Sequence, residues 1–579
     1  MLSVQPRPKT TPDTDPEIER PAARELTDRR FLTWLVFVLG LSATLYMVLA
    51  ANWPKFSRAE VFFAECAREM LAKSNFVTPL YHDKPFFDKP ILTYWLILGM
   101  FKTFGVSHLT ARLPSILAAL ATVATTAVAT TLLWGRRAGL LSAMSLASSF
   151  MFFSFASLCM SDMLLVLFDT VTLVLLYIGT VAERRRDIMW WLASVSMGLA
   201  FLVKGPVGLV LPGLFFLTYL TVGGQLRLVR SRHILAGLIT LLAVASPWFL
   251  AAWQSNGAES MYWFFIRENF QRFAGSTYDS HRPPWYMALS LLSGFSPWSV
   301  FLPVALWGSI QSWRADFLEP QSRREFYLWL WVGVVTLFFS LSRGKIDYYV
   351  LPAYPAAAAL VGFYLDRWIT QGQRPAITVG WLFGICLLVA GVGSVFALSP
   401  LVGSQGPAQW MLMPGALALS GILMLASMWQ RQVFRAYGLA FTGLSLAVIG
   451  FSLQLLPTIN KLQPCLDYAR IVRESPRETR IGMDKPLENW IDEVTFQTGR
   501  EPIKIEGTNE LVEFLSGPGP SLAMVPRDRF EKLPQSLLAS VRIIDSRPYI
   551  SHALNPGYAF KRKGRLAGDV PLVLVSNRP

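Results

Sequence analysis

Long apolar runs separated by short basic turns dominate the chain from Phe31 to about Leu456. Runs of about 18 or more apolar residues recur there, and each can cross the hydrocarbon core as a helix. The basic turns thread them. Arg29 and Arg30 precede the first run, followed by Arg136-Arg137, Arg184 to Arg186, and Arg227 with Arg230 and Arg232. Arg314 with Arg323 and Arg324, Arg367 with Arg374, and Arg431 with Arg435 complete the series. Lys and Arg collect in short cytoplasmic loops, so these turns predict about thirteen spans, with the N-terminus inside and the C-terminus outside. The alternation holds only if 90–105, interrupted by Lys102, lies along the outer face or re-enters. The first run is too long for the hydrophobic region of a signal peptide and is expected to stay as the first membrane helix.

After residue 456 the pattern changes. Glu501–Glu506, Val541–Asp545 and Val570–Val575 read as short strands, and 463–475, 508–516 and 527–540 read as helices. The expected architecture is an all-α polytopic membrane domain over 29–456, then a small extracytoplasmic α/β domain over 457–579. Residues 1–28, Pro-rich and charged, read as a disordered cytoplasmic tail.

Composition agrees: 53% of the 579 residues are apolar and 16% charged, against about 25% charged in ordinary soluble domains. The net charge of +15 could suggest a nucleic-acid partner, but much of the excess sits in short loops between spans, so none is expected. Cys66, Cys159, Cys386 and Cys465 show no CxxC spacing, which argues against a zinc site or a disulfide framework.

Charge on the predicted outer face changes the picture most, because positive-inside bias should deplete it of Lys and Arg. Ser57–Met70 interleaves Val61, Ala64, Cys66 and Ala67 with Glu60, Glu65, Arg68 and Glu69 at helical spacing, which suits an interfacial amphipathic helix. A prolyl-bounded turn, Lys84–Pro90, presents Asp88 and Lys89. Asp162 opens the fourth span, and Lys204-Gly205-Pro206 breaks the chain at the end of the fifth. The largest loop carries Arg267–Phe273 and His281–Trp285, and a later one carries Ser342–Tyr349. Lys102 and Arg112 fit simple snorkelling. Carboxylates and cations from separate loops suit one reaction class: cations hold a lipid phosphate while a carboxylate takes a proton from an acceptor hydroxyl. The phosphate then leaves with its developing charge stabilised by Lys and Arg.

On these residues the chain resembles the lipid-phosphate-dependent type C glycosyltransferases, in particular the lipid A aminoarabinose transferase and protein O-mannosyltransferase-like group. The resemblance runs through Ala59-Glu60, Ala64-Glu65, Arg68-Glu69-Met70, Phe87-Asp88-Lys89-Pro90, Asp162 and Lys204-Gly205. It continues through Glu268, Gln271-Arg272-Phe273, Gly344-Lys345, Tyr348 and Leu351-Pro352. It implies a membrane enzyme of the cytoplasmic (inner) membrane that moves a sugar from a polyprenyl phosphate, such as undecaprenyl phosphate. The acceptor would be lipid A, another envelope glycolipid or a protein hydroxyl, attacked by inverting displacement. Lys89, Lys204 and Arg272 would bind the donor phosphate, with Lys345 and Tyr348 nearby; Glu60 and Asp162 would be the catalytic carboxylates.

Two departures bear on that assignment. The family has Asp-Glu where this chain has Ala59-Glu60, so Glu60 is expected to take the role of the base, its longer side chain reaching from the next position. The family's Glu-His pair in the large loop is Glu268-Asn269 here. These residues fix no cofactor; a divalent metal would draw on Asp88, Glu268 and His281, although Asn is a poor zinc ligand. Ala59 also admits a catalytically inactive member acting in binding or assembly. A lipid-sugar transporter fits less well: transporters place polar groups at the midplane, whereas these spans are almost free of charge, Asp169 excepted.

Overall fold

The computed structural model describes residues 25–53, 55–271, 282–402, 409–460, 464–547 and 571–578. The expected tail, 1–28, falls mostly outside them. Helix α1 (Arg29–Asn52) leads through a short segment to α2 (Arg58–Ala72), and a small antiparallel hairpin, β1 (Leu80–Tyr81) and β2 (Lys84–Pro85), follows. Then come α3 (Leu92–Phe104), α4 (His108–Trp134), α5 (Arg136–Ala147), α6 (Phe150–Ala156), α7 (Asp162–Val181), α8 (Arg186–Lys204) and α9 (Val207–Val222). The long α10 (Ser231–Tyr262) is broken at Gly257, whose φ is 73°, and passes into a π-helical stretch, Trp263–Gln271. Beyond it lie α11 (Tyr286–Gly294), α12 (Leu302–Ala315), α13 (Pro320–Leu341), α14 (Tyr354–Thr370), α15 (Arg374–Val402), α16 (Leu412–Trp429) and α17 (Val433–Gly450).

The chain is a multi-pass membrane protein. Among the described residues, ten helices are long and apolar enough to cross a membrane, or twelve if each of two bent pairs is one span. The bent pairs are α5 with α6, at 68°, and α11 with Trp298–Ala315, at 114°. The shorter apolar helix α9 stands outside that count. Helix α3 has 13 residues and so spans about 20 Å at 1.5 Å per residue, short of a hydrocarbon core of about 30 Å. That agrees with 90–105 not crossing. Helix α14 is the hub of the bundle: Tyr354 through Leu365 are all buried, and small Ala356 to Ala359 let its neighbours approach closely.

The C-terminal domain is a three-layer α/β unit. Helix α18 (Cys465–Glu474) precedes β3 (Arg480–Asp484), α19 (Ile491–Thr498), β4 (Ile503–Ile505), α20 (Thr508–Ser516), β5 (Ser521–Pro526), β6 (Arg542–Arg547) and β7 (Leu572–Ser576). The sheet order is β4-β3-β5-β7-β6, with β3 parallel to β4 and β5, and β7 antiparallel to β5 and β6. Alternate residues serve opposite cores. Leu522 and Met524 pack with α18 on one face, while Ala523 and Val525 pack with α20 on the other.

Candidate active site at one end of the helical bundle

Helix α2 begins with a capping box. Ser57 Oγ accepts from the Glu60 amide at 3.4 Å, and the Ser57 amide donates to Glu60 Oε2 at 2.9 Å. The same carboxylate is paired with Arg112 (Nε to Oε1, 2.9 Å), and Oε1 also accepts from the Cys159 amide at 2.9 Å. Both side chains are fully buried. Arg112 further donates to the carbonyls of Ala50 (2.8 Å), Trp53 (2.8 Å) and Lys55 (3.1 Å). This corrects two expectations. Glu60 does not reach outward in place of a missing Asp; adjacent helical positions point about 100° apart, and its oxygens are filled from behind. Arg112 does not snorkel, but joins the end of α1, the start of α2 and α4. A cation one turn inside a helix start opposes the macrodipole, which was the available hint that Arg112 has a buried partner.

Ala59, by contrast, is exposed on the first turn of α2. The rest of α2 is not a solvated amphipathic surface either, since Glu65 is 0% and Glu69 7% exposed. Glu65 pairs with Arg68 at 2.6 Å, yet burial still pushes its carboxyl above the usual range. Glu69 accepts from the backbone amides of His82 (2.9 Å) and Asp83 (3.1 Å), tying the hairpin to α2.

The Glu60 carboxylate also fixes the approach to α7, because Cys159 lies three residues before Asp162. Asp162 is 4% exposed at the first turn of α7, where a carboxylate complements the dipole. Its Oδ1 accepts from Lys204 Nζ at 2.5 Å. Lys204 ends α8, again the favourable end, and lies 5.8 Å from the Tyr348 ring centroid and 5.2 Å from that of Tyr349. Gly205 carries φ 74°, and a Cβ there would meet Phe264 Cζ at 2.6 Å and Asn269 Oδ1 at 3.5 Å. Only glycine lets the large loop close onto Lys204 this tightly.

Asp162, Lys204 and Tyr348 therefore converge from three separate segments, as the sequence suggested, and Tyr349 joins them unforeseen. Lys345, 7% exposed, lies in the same segment as Tyr348 and donates to the Ser342 carbonyl at 2.6 Å. Asp88 and Lys89 pair with each other at 2.8 Å. Burial raises the Tyr94 phenol well above its usual range, with nearby negative charge adding to the effect. Arg272 and His281 lie outside the described residues. Among the described residues no three His, Cys, Asp or Glu side chains gather into a metal site.

Comparison with known proteins bears on this geometry. A model of the dolichyl-phosphate-mannose-protein mannosyltransferase family matches residues 88–251, which include Asp88, Lys89, Asp162 and Lys204. The arabinosyl transferase of Pectobacterium carotovorum for undecaprenyl phosphate-alpha-4-amino-4-deoxy-L-arabinose is 30% identical over 62% of this chain and 63% of its own. The fold agrees with the crystal structure of ArnT from Cupriavidus metallidurans bound to undecaprenyl phosphate, at a TM-score of 0.71 and 20% identity over 94% and 98% of the two chains. The chain is thus similar in sequence to transferases that use an undecaprenyl phosphate sugar, and it shares the fold of ArnT. Its aligned part spans less than two thirds of that Pectobacterium relative, and 59% of an uncharacterised Aquifex aeolicus protein that is 30% identical. Within that fold, the membrane domain brings the Asp162–Lys204 pair to the bundle end where the first connecting segment and the large loop meet.

Proposed function

We propose that this protein transfers a sugar from a polyprenyl phosphate to an acceptor oxygen on the outer face of the cytoplasmic membrane, with its C-terminal domain on that side. The observation that carries the reading is the Lys204 ammonium, held by Asp162 and lying over Tyr348 and Tyr349 at a junction of connecting segments. A cation with a single carboxylate partner can be recruited by a donor phosphate, and Lys89, Lys345, Tyr348 and Arg272 would complete the clamp. The acceptor oxygen attacks the anomeric carbon opposite the phosphate. The new C–O bond forms as the sugar–phosphate bond breaks, and the polyprenyl phosphate leaves with the electron pair. Once Lys204 turns to the phosphate, Asp162 is released to take the acceptor proton. Glu60 holds the Asp162 approach rather than the proton. Lipid A, another envelope glycolipid and a protein hydroxyl all present suitable oxygens.

The exposed methyl of Ala59 favours one second reading, a member that binds the lipid phosphate without transferring. Mass spectrometry of envelope lipids and glycoproteins from a deletion strain separates the two. A glycan that disappears on deletion and returns with the wild-type gene, but not with Asp162→Asn, supports transfer. An unchanged glycan inventory supports binding alone.

A further inference from the structure

The C-terminal domain docks helix α19 onto the segment that joins α1 to α3. Glu493 is 2% exposed on the first turn of α19. Its Oε2 accepts from the Phe56 amide at 2.9 Å, and its Oε1 meets His108 Nε2 at 2.7 Å. Gln497, one turn on, reaches the same imidazole at 3.1 Å. Phe496 packs its ring 4.9 Å from that of Phe56 and 6.3 Å from that of Phe101. Arg112 of the membrane domain holds the carbonyl of Lys55, and Glu493 of the C-terminal domain holds the next amide. The two residues before the α2 cap are thus gripped from both sides.

A second grip closes on the hairpin. Asp492 Oδ1 accepts from the Tyr81 hydroxyl at 2.5 Å and meets His82 Nε2 at 3.2 Å, while His82 Nδ1 faces Glu501 at 3.1 Å. The His82 amide is bonded to Glu69 on α2. The two grips flank α2, and the hairpin leads directly to Asp88 and Lys89.

We propose that the C-terminal domain is a positioning clamp for the site: Glu493 sets the start of α2, and Asp492 with Glu501 sets the hairpin that carries Asp88 and Lys89. None of these three residues touches the reacting atoms. The kinetic consequence rests on the transfer reading above; the mechanical one does not. An imidazole lies inside each grip. His108 faces Glu493 and Gln497 between the Phe56 and Phe496 rings; His82 faces Asp492 and Glu501 beside the Tyr81 ring, with Glu69 on its backbone.

The test uses the full chain in nanodiscs. Hydrogen exchange over residues 53–60 and 80–90, corrected for the intrinsic chemical rate, reads the clamp. Steady-state transfer with a polyprenyl-phosphate sugar reads its effect. Glu493→Ala should loosen 53–60 about ten- to a hundredfold, the scale of losing a hydrogen bond to a charged group, while peptides of α14 stay protected. It should lower kcat with little change in donor KM, and Glu493→Asp should recover part of both. Asp492→Asn should loosen 80–90 instead, and guards against a Glu493 variant that fails to fold. Exchange unchanged in both carboxylate variants overturns the clamp. Looser exchange with unaltered kcat and KM overturns positioning. A wild type that transfers nothing defeats the transfer reading, and the exchange results then decide the clamp alone.

Discussion

Glu60 and Arg112 form a buried ion pair at 2.9 Å, and neither side chain has exposed surface. The pair is compensated on every side: Glu60 accepts from two backbone amides and Arg112 donates to three carbonyls. Such a pair is costly to form but far more costly to halve, because the survivor remains charged in a low-dielectric interior. Arg112→Met should therefore destabilise the protein by about 3–5 kcal/mol, and Glu60→Gln, which keeps one acceptor, by less. Thermal unfolding in detergent ranks the two. A Glu60→Gln protein of wild-type stability that is inactive would instead return Glu60 to the chemistry.

Ala59 occupies an exposed position on the first turn of α2. Ala59→Asp should fold normally, since the side chain enters open space and a carboxylate near a helix start is favoured. If a hydroxyl acceptor is used, kcat should rise, by up to the roughly 10²-fold lower range of a positioned base. Initial rates of the purified variant check it, and an unchanged rate would show that proton removal at this position does not limit turnover.

Asp162 and Lys204 should separate binding from transfer. Asp162→Asn frees Lys204 from its carboxylate, so donor affinity should hold or tighten while kcat falls by about 10²-fold or more. Single-turnover rates beside donor titrations give both quantities. Parallel loss of both would mean that Asp162 only shapes the pocket.

Glu65 gives a pH signature. Burial raises its carboxyl in the folded state, with Arg68 opposing. A raised folded value means that the fold holds the proton more tightly than the unfolded chain. This group therefore supports the fold below the unfolded value of about 4.3, and that support is lost as pH rises through the folded value. Glu65→Gln should flatten the dependence of melting temperature on pH above about 4, with little cost at neutral pH because its amide oxygen still accepts from Arg68.

The membrane helices were legible because a span must satisfy its backbone internally and keep an apolar surface, a constraint that writes itself over some twenty positions at once. The convergence of Asp162, Lys204 and Tyr348 was legible because each stood at an otherwise apolar boundary. Side-chain direction was not. Glu60 and Ala59 are neighbours in sequence, and only the packing of Arg112 and Cys159 shows which of them faces inward. In the C-terminal domain the edge strands β4 and β6 and the interior, Val- and Leu-rich β7 were foreseen, but the interior β3 and β5 were missed. Arg480–Asp484 and Ser521–Pro526 are buried on both faces, so they lack the alternation that marks a half-exposed strand, and Gly482, Met483, Ala523 and Met524 are weak strand formers. Helix α19 escaped as well, and with it the grip of Glu493 on Phe56. Contacts across hundreds of positions leave no local periodicity.

Titration of undecaprenyl phosphate into the purified protein in nanodiscs, wild type against Lys204→Ala, tests the central claim most directly. Removing the ammonium that would meet the phosphate should weaken binding by about ten- to a hundredfold, with Lys204→Arg in between; the melting temperature should fall as well, because Asp162 stays buried without its partner. Equal affinity in wild type and Lys204→Ala would contradict a phosphate clamp at this pocket.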